Sequence, residues 1–173
     1  MVSGLLLVNV QRHMLEGSAP VPAARQVRTA IARLLGEARA AGAVVVHIQN
    51  EGMVGDPDEP NTPGWELVFP VESRDLVVRK TQQNAFVSAV RLAPALRRRH
   101  VDRVVVAGLL SQYCVAATCH GAMDRGFSVV LASGAHATYD EKEPARQISV
   151  AAERDLAAAG VVVSRPDAIQ FAA

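Results

Sequence analysis

The chain has 173 residues, a formal net charge of +1 and hydrophobic side chains at 50% of its positions, which suits one domain over 1–173 with a substantial core. Its only basic cluster, Arg97 to His100, falls at a predicted helix end, so the broad basic face that nucleic-acid binding needs is excluded. No apolar run approaches a membrane span, and no basic segment with a long apolar core opens the chain, so the expectation is a soluble, cytoplasmic protein with no membrane partner.

Leu5 to Val8 form an apolar opening strand that runs into Asn9, Val10 and Gln11. Val27, Ile31, Leu34, Leu35 and Ala38 recur at helical spacing, introduced by Pro20 and Pro22 and closed by Gly42. Ala43 to Ile48 is the second strand. Asn50 to Pro70 fits no element, being rich in Gly, Pro and acids and holding the only tryptophan, Trp65. Loops of such length in compact domains are commonly functional lids. Asp75 to Arg79 is a third strand that delivers Lys80 just before Thr81 to Phe86. A helix follows around Leu92 to Arg99, with Pro94 tolerable only near its first turn. Val104 to Val106 then lead a strand to Gly108, and an Ala-rich helix begins at Cys114 and ends at Gly126. Ser128 to Ala132 form a strand, Pro144 to Ala159 a helix, and Val161 to Val163 a last strand. Six strands separated by crossovers specify a three-layer, Rossmann-like α/β fold, with a mostly parallel sheet and helices on both faces.

Cys114 is the most informative single residue. A thiol at a helix N-terminus meets unpaired N–H groups and the positive end of the helix dipole, which favour thiolate over thiol. The competing reading is a small buried hydrophobe. Asn9 and Lys80 weigh against that reading, because both lie at or just past the C-terminal end of an apolar strand, where open parallel sheets gather their ligands. Cys119 lies five residues further along the same helix and points to another face, so a disulfide between the two is implausible and core packing is the simplest role for Cys119. Neither CxxC spacing nor a Cys/His cluster suggests zinc.

The segments LLLVNVQ, VVVHIQNEG, GDPDEPNTPGWEL, VVRKTQQNAF, VVVAGLLSQYCVAAT and GFSVVLASGAHATYD together resemble the isochorismatase-like cysteine hydrolases, in the family's order and across nearly the whole chain. The resemblance implies a triad of aspartate, lysine and cysteine. Aspartate takes the thiol proton, lysine holds the charges in place, and cysteine attacks an amide-like carbon. By position the lysine is Lys80, the cysteine is Cys114, and the aspartate is replaced by Asn9. It also implies a non-proline cis peptide at Leu109–Leu110 and an oxyanion hole formed by the amides of Leu110 and Cys114. Gln11, Gln49, Trp65, Phe86, Tyr113 and His136 are the expected substrate contacts. For Trp65 a loop anchor, and for His136 a structural hydrogen bond, stand as alternatives. The expected partners are a small-molecule substrate and further copies of the chain, in a homodimer or larger homo-oligomer. The small residues from Cys114 to Ala122 would allow close helix approach in such an assembly.

Asn9 is a serious departure, because a carboxamide cannot accept a proton at neutral pH. The chain is then either a natural, weakened or repurposed member, or a variant that stalls catalysis with ligand in place. Nicotinamidases carry a metal-binding DxHxxxH, of which only His47 is present here, so no metal or other cofactor is expected; His47 reads as a hydrogen-bonded histidine near its strand end. Gly134 replaces an aspartate common in the family. The resulting expectation is a cysteine-dependent hydrolase of a C–N bond in a small amide, carbamoyl compound, lactam or cyclic imide, acting through an acyl-thiol intermediate. Two alternatives remain: a non-catalytic binding or assembly protein of the same fold, and an isochorismatase, against which Cys114 counts.

Overall fold

The computed structural model describes residues 1–173. In chain order its elements are β1 (Val2–Val8), α1 (Arg12–Leu15), α2 (Ala24–Ala40), β2 (Val44–Asn50), β3 (Leu76–Lys80), α3 (Ala85–Ser88), α4 (Leu92–Arg97) and β4 (Val101–Leu109). A wide π turn (Ser111–Val115) then leads into α5 (Ala116–Met123), followed by β5 (Ser128–Ala137), α6 (Ala145–Ala158), β6 (Val162–Ser164) and a 3-10 turn (Pro166–Ala168). The strands form one sheet in the order β3-β2-β1-β4-β5-β6. Every pair is parallel, where the sequence predicts only that most are. The order reverses direction between β1 and β4, and such a switch point opens a crevice beyond the C-terminal strand ends.

The central strand shows why both faces are covered. Leu5, Leu6, Leu7 and Val8 are at most 1% exposed, and a continuous apolar run of this kind belongs to a parallel strand with helices on each side. Alternation divides them: Leu5 and Leu7 pack with Val27, Ile31, Leu34, Leu35 and Ala38 of α2. Leu6 and Val8 pack on the opposite face with Phe86, Leu92, Leu96, Cys119 and Leu156, drawn from α3 to α6. Each such burial stabilises the fold by about 1.5–3 kcal/mol. No helix is long and apolar enough to cross a membrane.

Two differences from the sequence reading bear on the site. The fifth strand does not stop at Ala132 but continues to Ala137, through a register irregularity opposite Val106 and Gly108. Ser133-Gly134 looks like a chain break, yet Gly134 takes φ +80 and lets pairing resume. His136 therefore lies inside β5 rather than after it. The helical segment, in turn, begins at Ser111 rather than Cys114, because the first turn is widened: the Ala116 amide reaches back five residues to the Ser111 carbonyl. Single widened turns of this type cluster at functional positions.

Candidate active site

The ends of β3, β2, β1 and β4 stand side by side at the C-terminal edge of the sheet. Asn50 is in register with Lys80, while Val8, the residue before Asn9, is in register with both Ile48 and Gly108. Gly108 has φ +128, and a Cβ there would collide with the Val8 carbonyl, so only glycine lets β4 approach β1 this closely. The peptide that follows shortly, Leu109–Leu110, is cis.

Lys80 is one of two lysines in a chain with sixteen arginines, and it is 1% exposed. Its Nζ donates to Asn50 Oδ1 at 2.9 Å, to the Gln82 carbonyl at 3.0 Å and to Cys114 Sγ at 3.3 Å. Three acceptors match the three protons of a compact ammonium, a geometry that a planar guanidinium would not fill. Burial pulls the Lys80 pKa down, partly opposed by the neighbouring Cys114 and Asp58. An amine depressed in this way is better able to exchange a proton with the sulfur it touches.

Cys114 is half-buried in the π turn. The amides of Tyr113 and Val115 both donate to the Leu110 carbonyl at 3.2 Å, which fixes the backbone on either side of the cysteine. Cys119 differs in every respect: it is fully buried in the core, and burial pushes its thiol up to about 12.

Asn9 is 5% exposed and left-handed, with φ 52, a conformation asparagine and aspartate both tolerate. Its amide donates to the Ile48 carbonyl and its carbonyl accepts from the Gln11 amide, each at 2.9 Å. Its Oδ1 is buried without a hydrogen-bond partner. The structure therefore joins Lys80 to Cys114 directly, and bonds Asn9 to neither.

The expected substrate contacts divide. Gln11 spends its amide inside the protein: Nε2 donates to the carbonyls of Asn50 (3.0 Å) and Trp65 (2.9 Å), and Oε1 accepts from the Asn50 amide (2.9 Å). Gln49 Nε2 also donates to the Trp65 carbonyl, at 2.9 Å. Both glutamines hold the loop after β2, and Trp65 is anchored by its backbone while the Arg79 guanidinium lies 5.0 Å above its ring. Phe86 belongs to the core instead of the pocket: it is 2% exposed and its ring lies 5.9 Å from that of Phe127. Tyr113 is 38% exposed, and its hydroxyl donates to Glu141 at 2.8 Å.

For His136 the structure shows the hydrogen-bonding alternative. Its Nδ1 is 2.8 Å from Ser111 Oγ and its Nε2 is 2.9 Å from Glu153 Oε1, so both ring nitrogens are occupied and the residue anchors the first position of the cysteine turn. Within the continued β5, this ring lies between Ser111 and Glu153. His47 lies at 1% exposure with Nε2 3.1 Å from Asp75 Oδ2, as a hydrogen-bonded histidine, and burial lowers its pKa. Of the small residues of α5, Cys119 and Ala122 are fully buried and Gly121 abuts the Asn84 side chain, while Ala116 and Ala117 stay half-buried.

Sequence reasoning missed Asn50, which links Lys80 to Asp58, and Ser111, whose Oγ also lies 3.0 Å from Ser149 Oγ. The position of Asn50 two residues past the second apolar run was a usable signal; nothing local marked Ser111. A concavity of about 620 Å³ opens beside the turn, lined by Gln112, Ala116, His120 and Glu141 among others, but the sulfur does not line it.

Residues 3–165 match the Isochorismatase domain family. The chain belongs to the isochorismatase family of hydrolases. It is 44% identical to a streptothricin hydrolase of Streptomyces noursei, over 99% of this chain and 72% of that protein. A second streptothricin hydrolase of the same organism is 43% identical, over 99% of this chain and 66% of that protein. The chain thus spans just under two thirds of the second relative. Among solved structures, an isochorismatase from Pseudomonas putida KT2440 superposes with a TM-score of 0.88 at 26% identity, over 96% of this chain and 89% of that one.

Proposed function

We propose that the chain is a cysteine-dependent hydrolase of a C–N bond in a small amide, carbamoyl compound, lactam or cyclic imide. The observation that carries this reading is the 3.3 Å contact between Lys80 Nζ and Cys114 Sγ at the C-terminal edge of the sheet. Cys114 Sγ attacks the carbonyl carbon, the C–N bond breaks and the nitrogen leaves with a proton. Water then cleaves the acyl-thiol intermediate. The amides of Leu110 and Cys114 support the developing oxyanion, one such donor being typically worth about 3 kcal/mol in the transition state. Similarity to streptothricin hydrolases supports streptothricin as one candidate substrate. Assembly into a homodimer or larger homo-oligomer belongs to the same reading, and sedimentation equilibrium reads it.

Asn9 sets the rate. Its unpartnered Oδ1 can accept a hydrogen bond from a ligand but cannot take the thiol proton. General acid/base assistance contributes about 10² to 10⁴ in rate, so Asn9→Asp should gain activity of that order. The experiment compares the two forms on streptothricin and a panel of small amides, ureido acids, lactams and cyclic imides. If the aspartate form is no faster on any compound that either form binds, the hydrolytic reading gives way to a non-catalytic binding protein.

A further inference from the structure

Lys80 brings a positive charge to a position that is 1% exposed, and its acceptors are two neutral amide oxygens and a sulfur. An ammonium buried without a counter-charge is costly to keep protonated. The position that the family resemblance would charge is Asn9. Another carboxylate is linked to Lys80 by one intervening side chain. Asp58, in the loop after β2, accepts from Asn50 Nδ2 at 2.6 Å through its Oδ2, while Asn50 Oδ1 accepts from Lys80 at 2.9 Å.

The surroundings reserve that carboxylate for this use. A Cβ on Gly52 would collide with the Asp58 carboxylate, and the Gly52 amide holds the Asp58 carbonyl at 2.9 Å, so the loop is shaped to seat this side chain. The other nearby charges are engaged elsewhere. Glu51 pairs with Arg79 at 3.7 Å, and Arg79 covers the Trp65 ring. Cys114 and Asp58 are the groups whose charges favour protonated Lys80.

We infer that Asp58 is a positioning residue of this site: through Asn50 it supplies the counter-charge that position 9 lacks and keeps Lys80 an ammonium against Cys114. The inference rests on Lys80 and Cys114 being the reacting pair proposed above. It makes the charge of the lysine depend on the seating of the loop.

The two lysines make the test direct. Protein carrying ¹³C at lysine Cε gives one signal for Lys80 and one for Lys142, which is exposed and serves as internal reference. Asp58→Asn should lower the Lys80 titration midpoint by about one pH unit, the scale of one opposite charge nearby, without moving Lys142. Asp58→Glu should restore the midpoint. Asn50→Ser, too short to touch both neighbours, should lower it and decides the matter if Asp58→Asn does not fold. A midpoint unmoved in the folded variants, or an equal fall in Asp58→Asn and Asp58→Glu, overturns the inference. Because the readout is the titration of Lys80 itself, it stands or falls independently of turnover; a failed substrate panel would strike only the proposed reaction.

Discussion

Two buried nitrogen bases touch opposite ends of the turn that carries Cys114. Lys80 reaches the cysteine sulfur with its remaining protons on neutral oxygens, and its carboxylate is held one residue away. His136 is bracketed at both nitrogens, by the Ser111 hydroxyl and the Glu153 carboxylate. The first arrangement leaves a titratable group in contact with a reactive atom. The second consumes the titratable group to hold backbone in place. Burial alone therefore does not mark a catalytic base; what matters is where its hydrogen bonds end.

The largest expected effect separates the two sulfurs. At pH 8, iodoacetamide should modify Cys114 at least about 10³ times faster than Cys119, whose thiol is pushed up to about 12 and screened from solvent. Peptide mapping of intact protein measures both rates at once. Comparable labelling of the two would remove the distinction between the Lys80 end and the core.

Charge removal at each base sharpens the contrast. Lys80→Met should slow Cys114 alkylation about tenfold, because the sulfur loses the ammonium that contacts it at 3.3 Å, with circular dichroism unchanged. His136→Asn should leave alkylation within about twofold yet cost about 1–3 kcal/mol in urea unfolding, because Ser111 and Glu153 lose a buried partner. The reverse pattern would exchange the two roles.

The smallest effect is a pH dependence at the anchoring end. The hydrogen bond from His136 is the main cause holding the Glu153 carboxyl below its ordinary value, against a burial that raises it. A depressed carboxylate contributes stability above its unfolded value of about 4.3 and loses it as pH falls through the folded value. The wild-type advantage over Glu153→Gln should thus be about 1 kcal/mol at pH 7 and should shrink below about pH 4. A constant difference from pH 7 to 3 would show that the pair holds by shape alone.

Much of this was legible in the sequence, for identifiable reasons. Strands such as Leu5–Val8 are apolar on both faces, and helix α2 repeats its apolar positions every three or four residues, so the layers follow from local pattern. Lys80 and Cys114 were legible because each follows an apolar strand closely. The course of β5 was not, since a glycine that permits a bulge looks the same in sequence as one that ends a strand. The roles of Asn50, Asp58 and Ser111 were hidden for another reason: each is defined by a partner on a different element, brought near only by packing. Gln11 and Gln49 were found at the right strand ends, but their amides turn toward loop backbone.

Those two glutamines hold the loop after β2 by its main chain. Gln11 pairs with both the amide and the carbonyl of Asn50, as a neighbouring strand would, and both glutamines take the Trp65 carbonyl. Neither fastening reads a loop side chain. The stretch between Asn50 and Trp65 is in this sense a cassette: away from Asp58 and from Gly52 and Gly64, where a Cβ would collide, its residues can be rewritten, by evolution or by library construction, while the frame that fixes both of its ends stays as it is. Changes in this segment then leave the nucleophile undisturbed, provided that each new version keeps a carboxylate within reach of Asn50.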